Sequence, residues 1–435
     1  MDLRRLSAAC LLIVGAEAAS AQQSEVVVNG DIVVAPRYWQ SSRASSASTL
    51  SPSGDWRVID VGILYTPAMV AEAARGLAQV QQLNRDYVDY FNTVLARSRM
   101  KVIARLVGQA QVDYTESGNI FTDLANLANG SEAGTGPFAS WRDLWGADLL
   151  MLAVEHGGAG VAQLGGPYSV VGSHYLGAYT CETGGVLPEN PPPPCVSIPT
   201  HEWGHNLWLQ HNPGAGGGNI DDCRVYVASS VFRGLCERGH AFCGYLPNGD
   251  CFGDIMAYVG GGNCLCTPGS SAHSIHQYSN PQTLYGSVRL GEYGVAEGAA
   301  VGEAWAETAQ TWKPTRSASS CTQSPDRLCL NQGRFMVTAY YKTLGSGEGY
   351  GSAVPFGGDS GMFTFFDPGN LELTIKVLDW CTLNGKFAVF IAAMTDVEVS
   401  VLVLDTKTGA TKTYSNPQSR VFQAVQDPAA FPACN

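Results

Sequence analysis

The sequence predicts an α/β domain over about residues 55–316, followed by an all-β sandwich over about 320–435. Three observations carry that prediction. Between 55 and 316, β-branched and apolar runs alternate with stretches of helical periodicity. After 320, apolar residues fall at every second position. The chain has 435 residues, 45% of them hydrophobic, which is enough for two or three domains and a sizeable core.

The elements follow in chain order. Residues 1–21 read as a secretory signal. Arg4 and Arg5 form a basic start, an apolar stretch follows from Leu6, and Ala19-Ser20-Ala21 is a small-x-small cleavage site. Cleavage there gives a mature start at Gln22. Cys10 precedes most of the apolar stretch, so a lipid anchor is rejected. Residues 22–54 form an N-terminal extension. Val26-Val27-Val28 and Ile32-Val33-Val34 flank Asn29-Gly30 as a hairpin. Residues 41–54 are rich in Ser and Ala and read as a flexible linker.

Within 55–316, strands are expected at 58–65, 101–114 and 148–154. A helix is expected over 67–99, where Leu77, Val80, Leu83, Tyr87 and Phe91 recur at three- and four-residue steps. Two more are expected at 200–210 and 303–312. Residues 212–269 are irregular and rich in Gly and Cys. In the last part Leu371, Leu373, Ile375 and Val377 alternate with polar residues, as do Val397, Val399, Val401 and Val403, and Gly409 marks a turn. No segment after the signal approaches the ~18 continuous apolar residues of a membrane span.

Composition narrows the function. Lys and Arg number 26 against 38 Asp and Glu, for a net charge of −12, and no basic run occurs. Phosphate neutralisation needs clustered Lys and Arg, so a nucleic-acid partner is excluded. Losing Cys10 with the signal leaves twelve of the thirteen cysteines. In an exported chain an even number implies disulfides. Cys264-Leu265-Cys266 is too closely spaced for a zinc pair.

The residues that carry chemistry are His201-Glu202-Trp203-Gly204-His205, with His211 beyond. Positions four apart share one helix face, so His201 and His205 can hold one zinc ion. Glu202 lies beside that face. A catalytic zinc takes three protein ligands and keeps one open position. His211 joins them only if the helix ends and the chain bends back. Three His and one Glu at these spacings arise by chance on the order of 10⁻⁴ times per chain. The expected chemistry is peptide hydrolysis by a zinc-bound water, with Glu202 as general base.

In these residues the chain resembles the metzincin zinc peptidases, and in particular their reprolysin (adamalysin)-like secreted bacterial members. The stretch His201-Glu202-Trp203-Gly204-His205-Asn206-Leu207-Trp208-Leu209-Gln210-His211-Asn212 matches their long zinc motif at every position but one. Asp254-Ile255-Met256-Ala257-Tyr258 looks like their Met-turn, and Tyr278-Ser279-Asn280-Pro281 is similar to a segment of bacterial members. The resemblance covers about 55–316. It implies a twisted, mostly parallel sheet with an active-site helix ending near Trp208. It also implies an edge strand around Gly160, Val161, Ala162, Gln163 and Leu164, on which substrate pairs as an added strand. Met256 would floor the metal site, and Tyr258 would contact the zinc or the oxyanion. The departure is Trp208, where the family has glycine because φ is positive. It leaves Asp221 or Asp222 as an alternative third ligand.

Other features are read as structural. His156, His174, His240, His273 and His276 lack ligand spacing and are expected to be hydrogen-bonded loop residues. Asn248-Gly249-Asp250 and Gly253-Asp254 miss the EF-hand pattern, so calcium is unsupported and these are turns. Residues 22–54 hold no cysteine to plug a metal; by resemblance to astacin-like zymogens Asp31 could do so as a carboxylate, with a simple hairpin turn as the alternative. The C-terminal part resembles a β-rich module of bacterial secreted proteins through Leu328-Cys329-Leu330-Asn331, Phe365-Phe366-Asp367-Pro368 and Leu378-Asp379-Trp380-Cys381. Its four cysteines allow three connectivities, with Cys329–Cys381 and Cys321–Cys434 the expected pairs. Its aromatics are expected to fill the core.

The function expected is a secreted zinc-dependent endopeptidase, acting as a monomer on protein or peptide substrates. The rival is an inactive peptidase-fold scaffold that binds or adheres through its β-domain. Trp208 favours the rival, and the intact His201, Glu202, His205 and His211 favour the enzyme.

Overall fold

A computed structural model describes residues 25–28, 31–34, 55–73, 76–156, 160–172, 197–212, 238–257, 272–285, 287–316, 320–344, 347–432 and 434. The signal segment, the Ser/Ala-rich linker, His174, Asp221, Asp222, Tyr258 and the Cys264–Cys266 pair lie outside them.

The N-terminal hairpin comprises β1 (Glu25–Val28) and β2 (Asp31–Val34), antiparallel about Asn29-Gly30. The α/β part is built on β3 (Arg57–Tyr65), β4 (Val102–Gln111), β5 (Leu149–Val154), β6 (Gly160–Ala162) and β7 (Tyr168–Gly172). Their order in the sheet is β4-β3-β5-β7-β6. The first four run parallel, and β6 pairs antiparallel to β7 at the edge.

The expected helix over 67–99 is two helices, α1 (Pro67–Glu72) and α2 (Leu77–Arg97). Gly76 at φ 59 turns the chain between them, a conformation that opposes a continuous helix. Helices α3 (Ile120–Ala133) and α4 (Trp141–Trp145) precede β5. Asn119 caps α3, its side-chain oxygen accepting from the backbone of Phe121 and Thr122. Helix α5 (Ser197–Asn206) carries the histidine motif, and α6 (Gly298–Ala309) begins five residues earlier than expected.

Strand β5 is buried on both faces, as a parallel strand covered by helices must be. Leu149, Met151 and Ala153 join a core with α2, α5 and α6. Leu150, Leu152 and Val154 join a second core with α3 and α4. Between the site helix and α6 run β8 (Cys243–Tyr245), β9 (Cys251–Gly253), β10 (Ala272–Ser274), β11 (Asn280–Tyr285) and β12 (Val288–Leu290). Asn248-Gly249-Asp250 is the turn between β8 and β9, with Gly249 at φ 90.

The C-terminal part is two five-stranded antiparallel sheets. One comprises β13 (Leu328–Leu330), β14 (Phe335–Lys342), β15 (Glu348–Tyr350), β20 (Glu398–Asp405) and β21 (Thr411–Asn416). The other comprises β16 (Ser352–Pro355), β17 (Ser360–Thr364), β18 (Leu373–Trp380), β19 (Lys386–Ala393) and β22 (Val425–Phe431). Leu373, Ile375 and Val377 face Val399, Val401 and Val403 across a shared core that also takes in Phe335, Phe363, Phe365, Phe387 and Phe431.

The disulfide pairing differs from expectation. Cys321 joins Cys329 and Cys381 joins Cys434, with Cα–Cα distances of 5.5 and 5.6 Å. The strand order decides this. Strand β19 pairs with β18 on one side and β22 on the other, which brings the residues following β18 and β22 to the same end of the sheet. Cys321 is held near β13 by donating its backbone N–H to the Gly333 carbonyl. Cys243 and Cys251 are also disulfide-bonded.

The two parts share an apolar cluster: Trp56 and Ile103 from the α/β side, Met336, Tyr340, Leu402 and Leu404 from the sandwich. Polar bonds flank it. Trp56 Nε1 donates to Ser400 Oγ at 3.1 Å, and Tyr340 OH donates to the Arg99 carbonyl at 3.3 Å. Arg105, paired with Asp60 at 2.6 Å and buried, also donates to the Thr406 carbonyl. No helix among the described residues is long and apolar enough to cross a membrane.

Candidate metal centre

Helix α5 presents His201 and His205 one turn apart. The chain then reverses. Trp208 N–H donates to the His205 carbonyl, and Leu209 N–H to the Gly204 carbonyl, both at 2.9 Å. This is a Schellman ending with Trp208 in the left-handed position, at φ 69. The helix ends at Asn206, two residues before the expected point, because its last carbonyls are taken up by this turn. Trp208 keeps the backbone that glycine would supply. Left-handed backbone costs a non-glycine residue about 1–2 kcal/mol. The buried indole lies against Gly165 and meets Trp305 edge-on, with ring centroids 5.8 Å apart. Burying an indole returns roughly 4–6 kcal/mol, so the strain is outweighed.

The reversal brings His211 back. Its Nε2 lies 3.0 Å from His201 Nε2 and 3.1 Å from His205 Nε2, and the latter two are 3.1 Å apart. Among the described residues these three form the group able to hold a metal ion. Their protonation can be read from their other nitrogens. His201 Nδ1 bonds the Ile255 carbonyl at 2.8 Å, and His205 Nδ1 bonds the Leu209 carbonyl at 2.7 Å. A carbonyl only accepts, so each Nδ1 carries a proton and each ring turns its Nε2 inward. Burial, then His211 and His201, hold His205 well below its ordinary pKa. It is therefore neutral, the form that ligates. Tetrahedral zinc with Zn–N near 2.0–2.1 Å separates its ligand nitrogens by about 3.3 Å. The donor set fits zinc closely.

Three further groups shape the site. Met256 is buried beneath α5, and a Cβ on Gly204 would lie 2.5 Å from its Sδ. Only glycine allows that approach. Asp254 fixes the turn, accepting from Met256 N at 2.9 Å and Phe242 N at 3.1 Å. Burial pushes the Asp254 carboxyl up to about 7. Tyr278 OH donates to the Thr200 carbonyl at 2.7 Å, which ties the segment after the Met-turn to α5.

Glu202 is 2% exposed, and its carboxylate lies against the edge strand: a Cβ on Gly160 would come within 2.3 Å of Oε1. The strand residues Gly160, Val161 and Ala162 are in β6, while Gln163 and Leu164 follow it toward the turn into β7. Strand β2 runs beside β6. Asp31 opens β2, and its side chain is outside the described part.

Of the remaining histidines, His156 bonds Asp123 at 2.5 Å, His273 bonds Asp250 at 3.3 Å, and His276 bonds the Tyr90 hydroxyl. None joins the metal group. His240 does more than a loop residue, because its Nδ1 donates to the His211 carbonyl at 3.0 Å. The neighbouring bridge Gln210↔His240 fixes the same stretch. Nothing in its spacing pointed there. Asn206 was legible only as part of the motif, yet it is wholly buried and bonds two carbonyls of the β6–β7 turn.

No protein-family model and no curated protein matches the chain. Among solved structures, the chain is similar to one described as the structure of a chaperone-substrate complex, at 18% identity and a TM-score of 0.40. The match covers 60% of this chain and 35% of that one, so this chain spans about a third of its length. A likeness of that extent carries no argument about function.

Proposed function

We propose that the chain is a secreted zinc-dependent endopeptidase. The observation that carries this reading is the convergence of three histidine Nε2 atoms at 3.0–3.1 Å beside a buried glutamate and an edge strand. His201, His205 and His211 would hold the metal, and Met256 would floor it. When bound, zinc supplies a Lewis acid that lowers the pKa of water toward ~7 and stabilises oxyanion charge.

The chain's own groups do the rest. Strand β6 holds an extended peptide as an added strand, with main-chain bonds giving affinity. Its Gly160 lies on Glu202, so a peptide there runs past the carboxylate. Glu202 takes the proton of the attacking water and delivers it to the leaving amine, so no net charge builds on the carboxyl over the cycle. Trp208, the residue that favoured a dead scaffold, supports the enzyme instead, because its turn delivers His211. Export is supported by the Cys321–Cys329 and Cys381–Cys434 disulfides.

The test is hydrolysis of unfolded casein by the mature chain, with Glu202→Ala beside it and metal content measured for both. Because β2 runs beside β6, the assay is run on a chain from Gln22 and on one from Asp55. The expected outcome is cleavage by wild type and a loss of roughly 10²–10⁴-fold in Glu202→Ala with zinc retained. Zinc bound at one equivalent with no cleavage by either wild-type form would overturn the reading.

A further inference from the structure

We infer that Asn206 is a positioning residue that sets where the substrate strand lies over Glu202. The inference rests on the endopeptidase reading and names a residue which that reading does not use. Asn206 is wholly buried, directly after His205. Its Nδ2 donates twice, to the Gln163 carbonyl at 3.1 Å and to the Tyr168 carbonyl at 3.0 Å. Those two residues close the turn between β6 and β7, since Gln163 N–H donates to the Tyr168 carbonyl at 2.9 Å. One side-chain amide therefore clamps both ends of that turn onto the end of the metal helix. A third bond ties the same turn to the helix in the opposite sense, from Gly165 N–H to the His205 carbonyl at 2.8 Å.

The consequence is geometric. Strand β6 is three residues long and at the sheet edge, hydrogen-bonded as a strand to β7 alone, with β2 and α5 packed beside it. Pairing alone leaves it free to slide or tilt. Its contact with the site is at Gly160, where a single added carbon would collide with the Glu202 carboxylate. A shift of a few tenths of an ångström there alters where a paired peptide's carbonyl falls. The Asn206 amide bonds the β6–β7 turn and not a ligand side chain, so it acts through the strand. Its loss affects substrates in proportion to how much of β6 they use.

The experiment compares wild type with Asn206→Ala and Asn206→Ser, which keeps one donor. Each is assayed on an octapeptide spanning the scissile bond and on a blocked dipeptide too short to pair with β6. Binding is measured by calorimetry with the octapeptide carrying a reduced CH2–NH scissile bond. For Asn206→Ala, KM and Kd for the octapeptide are expected to rise about tenfold, the scale of a lost pair of buried hydrogen bonds. Its kcat on the octapeptide is expected to fall as the carbonyl is displaced from Glu202, while the dipeptide rate changes less than about twofold, with zinc retained and Asn206→Ser intermediate. Equal losses on both substrates, or unchanged Kd, would overturn the inference. If Asn206→Ala does not fold, Asn206→Ser against wild type decides on the same criteria. If wild type cleaves nothing, the endopeptidase reading fails on its own. The octapeptide Kd then still decides the inference, and absence of binding to wild type also overturns it.

Discussion

The α/β part and the sandwich both bury polar side chains, but they use them differently. In the α/β part Glu202, His205, Asn206, His211, His240 and Asp254 are all buried around one end of α5. In the sandwich Asp405 pairs with Arg334 and caps Lys407 and Thr408, and Asn416 bonds the carbonyls of Val397 and Arg420. These fix turns, each locally. Burying a polar group costs energy unless its partners are supplied. Where the partners are dispersed, the residues serve the fold. Around α5 three of them, with His201, bring ring nitrogens and a carboxylate to one place, while Asn206, His240 and Asp254 fix the backbone that holds them there.

The contrast can be broken most severely by separating the two parts. The sandwich keeps its own core and two disulfides when cut at 320, though it exposes Met336, Tyr340, Leu402 and Leu404. The α/β part, cut at 316, exposes Trp56 and Ile103 and loses the Thr406 partner of Arg105. Residues 320–435 alone are expected to melt cooperatively, and 55–316 alone to aggregate. Scanning calorimetry and light scattering on the two fragments check this, and a soluble, zinc-loaded 55–316 fragment would refute it.

A middle-sized effect is expected at Trp208. Trp208→Gly relieves about 1–2 kcal/mol of left-handed strain but leaves a cavity worth about 3–5 kcal/mol. The net loss is about 1–4 kcal/mol, with zinc binding preserved because the turn survives. Urea denaturation and zinc titration separate the two quantities. A variant more stable than wild type would show that the indole contributes little.

The smallest effect concerns Asp254. Its folded pKa is raised by burial from 3.8 to about 7. The folded state thus binds the proton more tightly, so this group's stabilising contribution is complete below about pH 4 and is lost as pH rises through 7. Asp254→Asn does not titrate. In the metal-free protein its Tm is expected to gain on wild type between pH 5 and pH 8. A difference in Tm that ignores pH would mean Asp254 is ionised throughout.

The sandwich was legible because its strands are half-buried, and alternation at Leu373, Ile375, Val377 and at Val399, Val401, Val403 reports which face is inside. The histidine cluster was legible because a helix places His201 and His205 on one face. Much else was not. Strand β7 and helix α4 are short, and α3 buries a stripe of only Asp123, Leu124, Leu127 and Ala128, too thin for a clear period. Cysteine pairing follows from the order β18-β19-β22, which no local spacing encodes. His240 reaches His211 from 29 residues away, and Asn206 acts on carbonyls about 40 residues upstream. Such roles become visible only when the sheet edge meets the helix end.

The cluster between the two parts also sets an order of events. Trp56 immediately precedes the first strand of the α/β sheet, yet its indole bonds Ser400, a separation of 344 residues. Contacts of that span form late, because the loop must close before they stabilise anything. A chain emerging in sequence has its metal helix complete by residue 212, but the cover over Trp56 and Ile103 waits for β20. During synthesis, the histidine-bearing end of the molecule therefore lacks its finished support. Maturation is timed by the length of the chain itself.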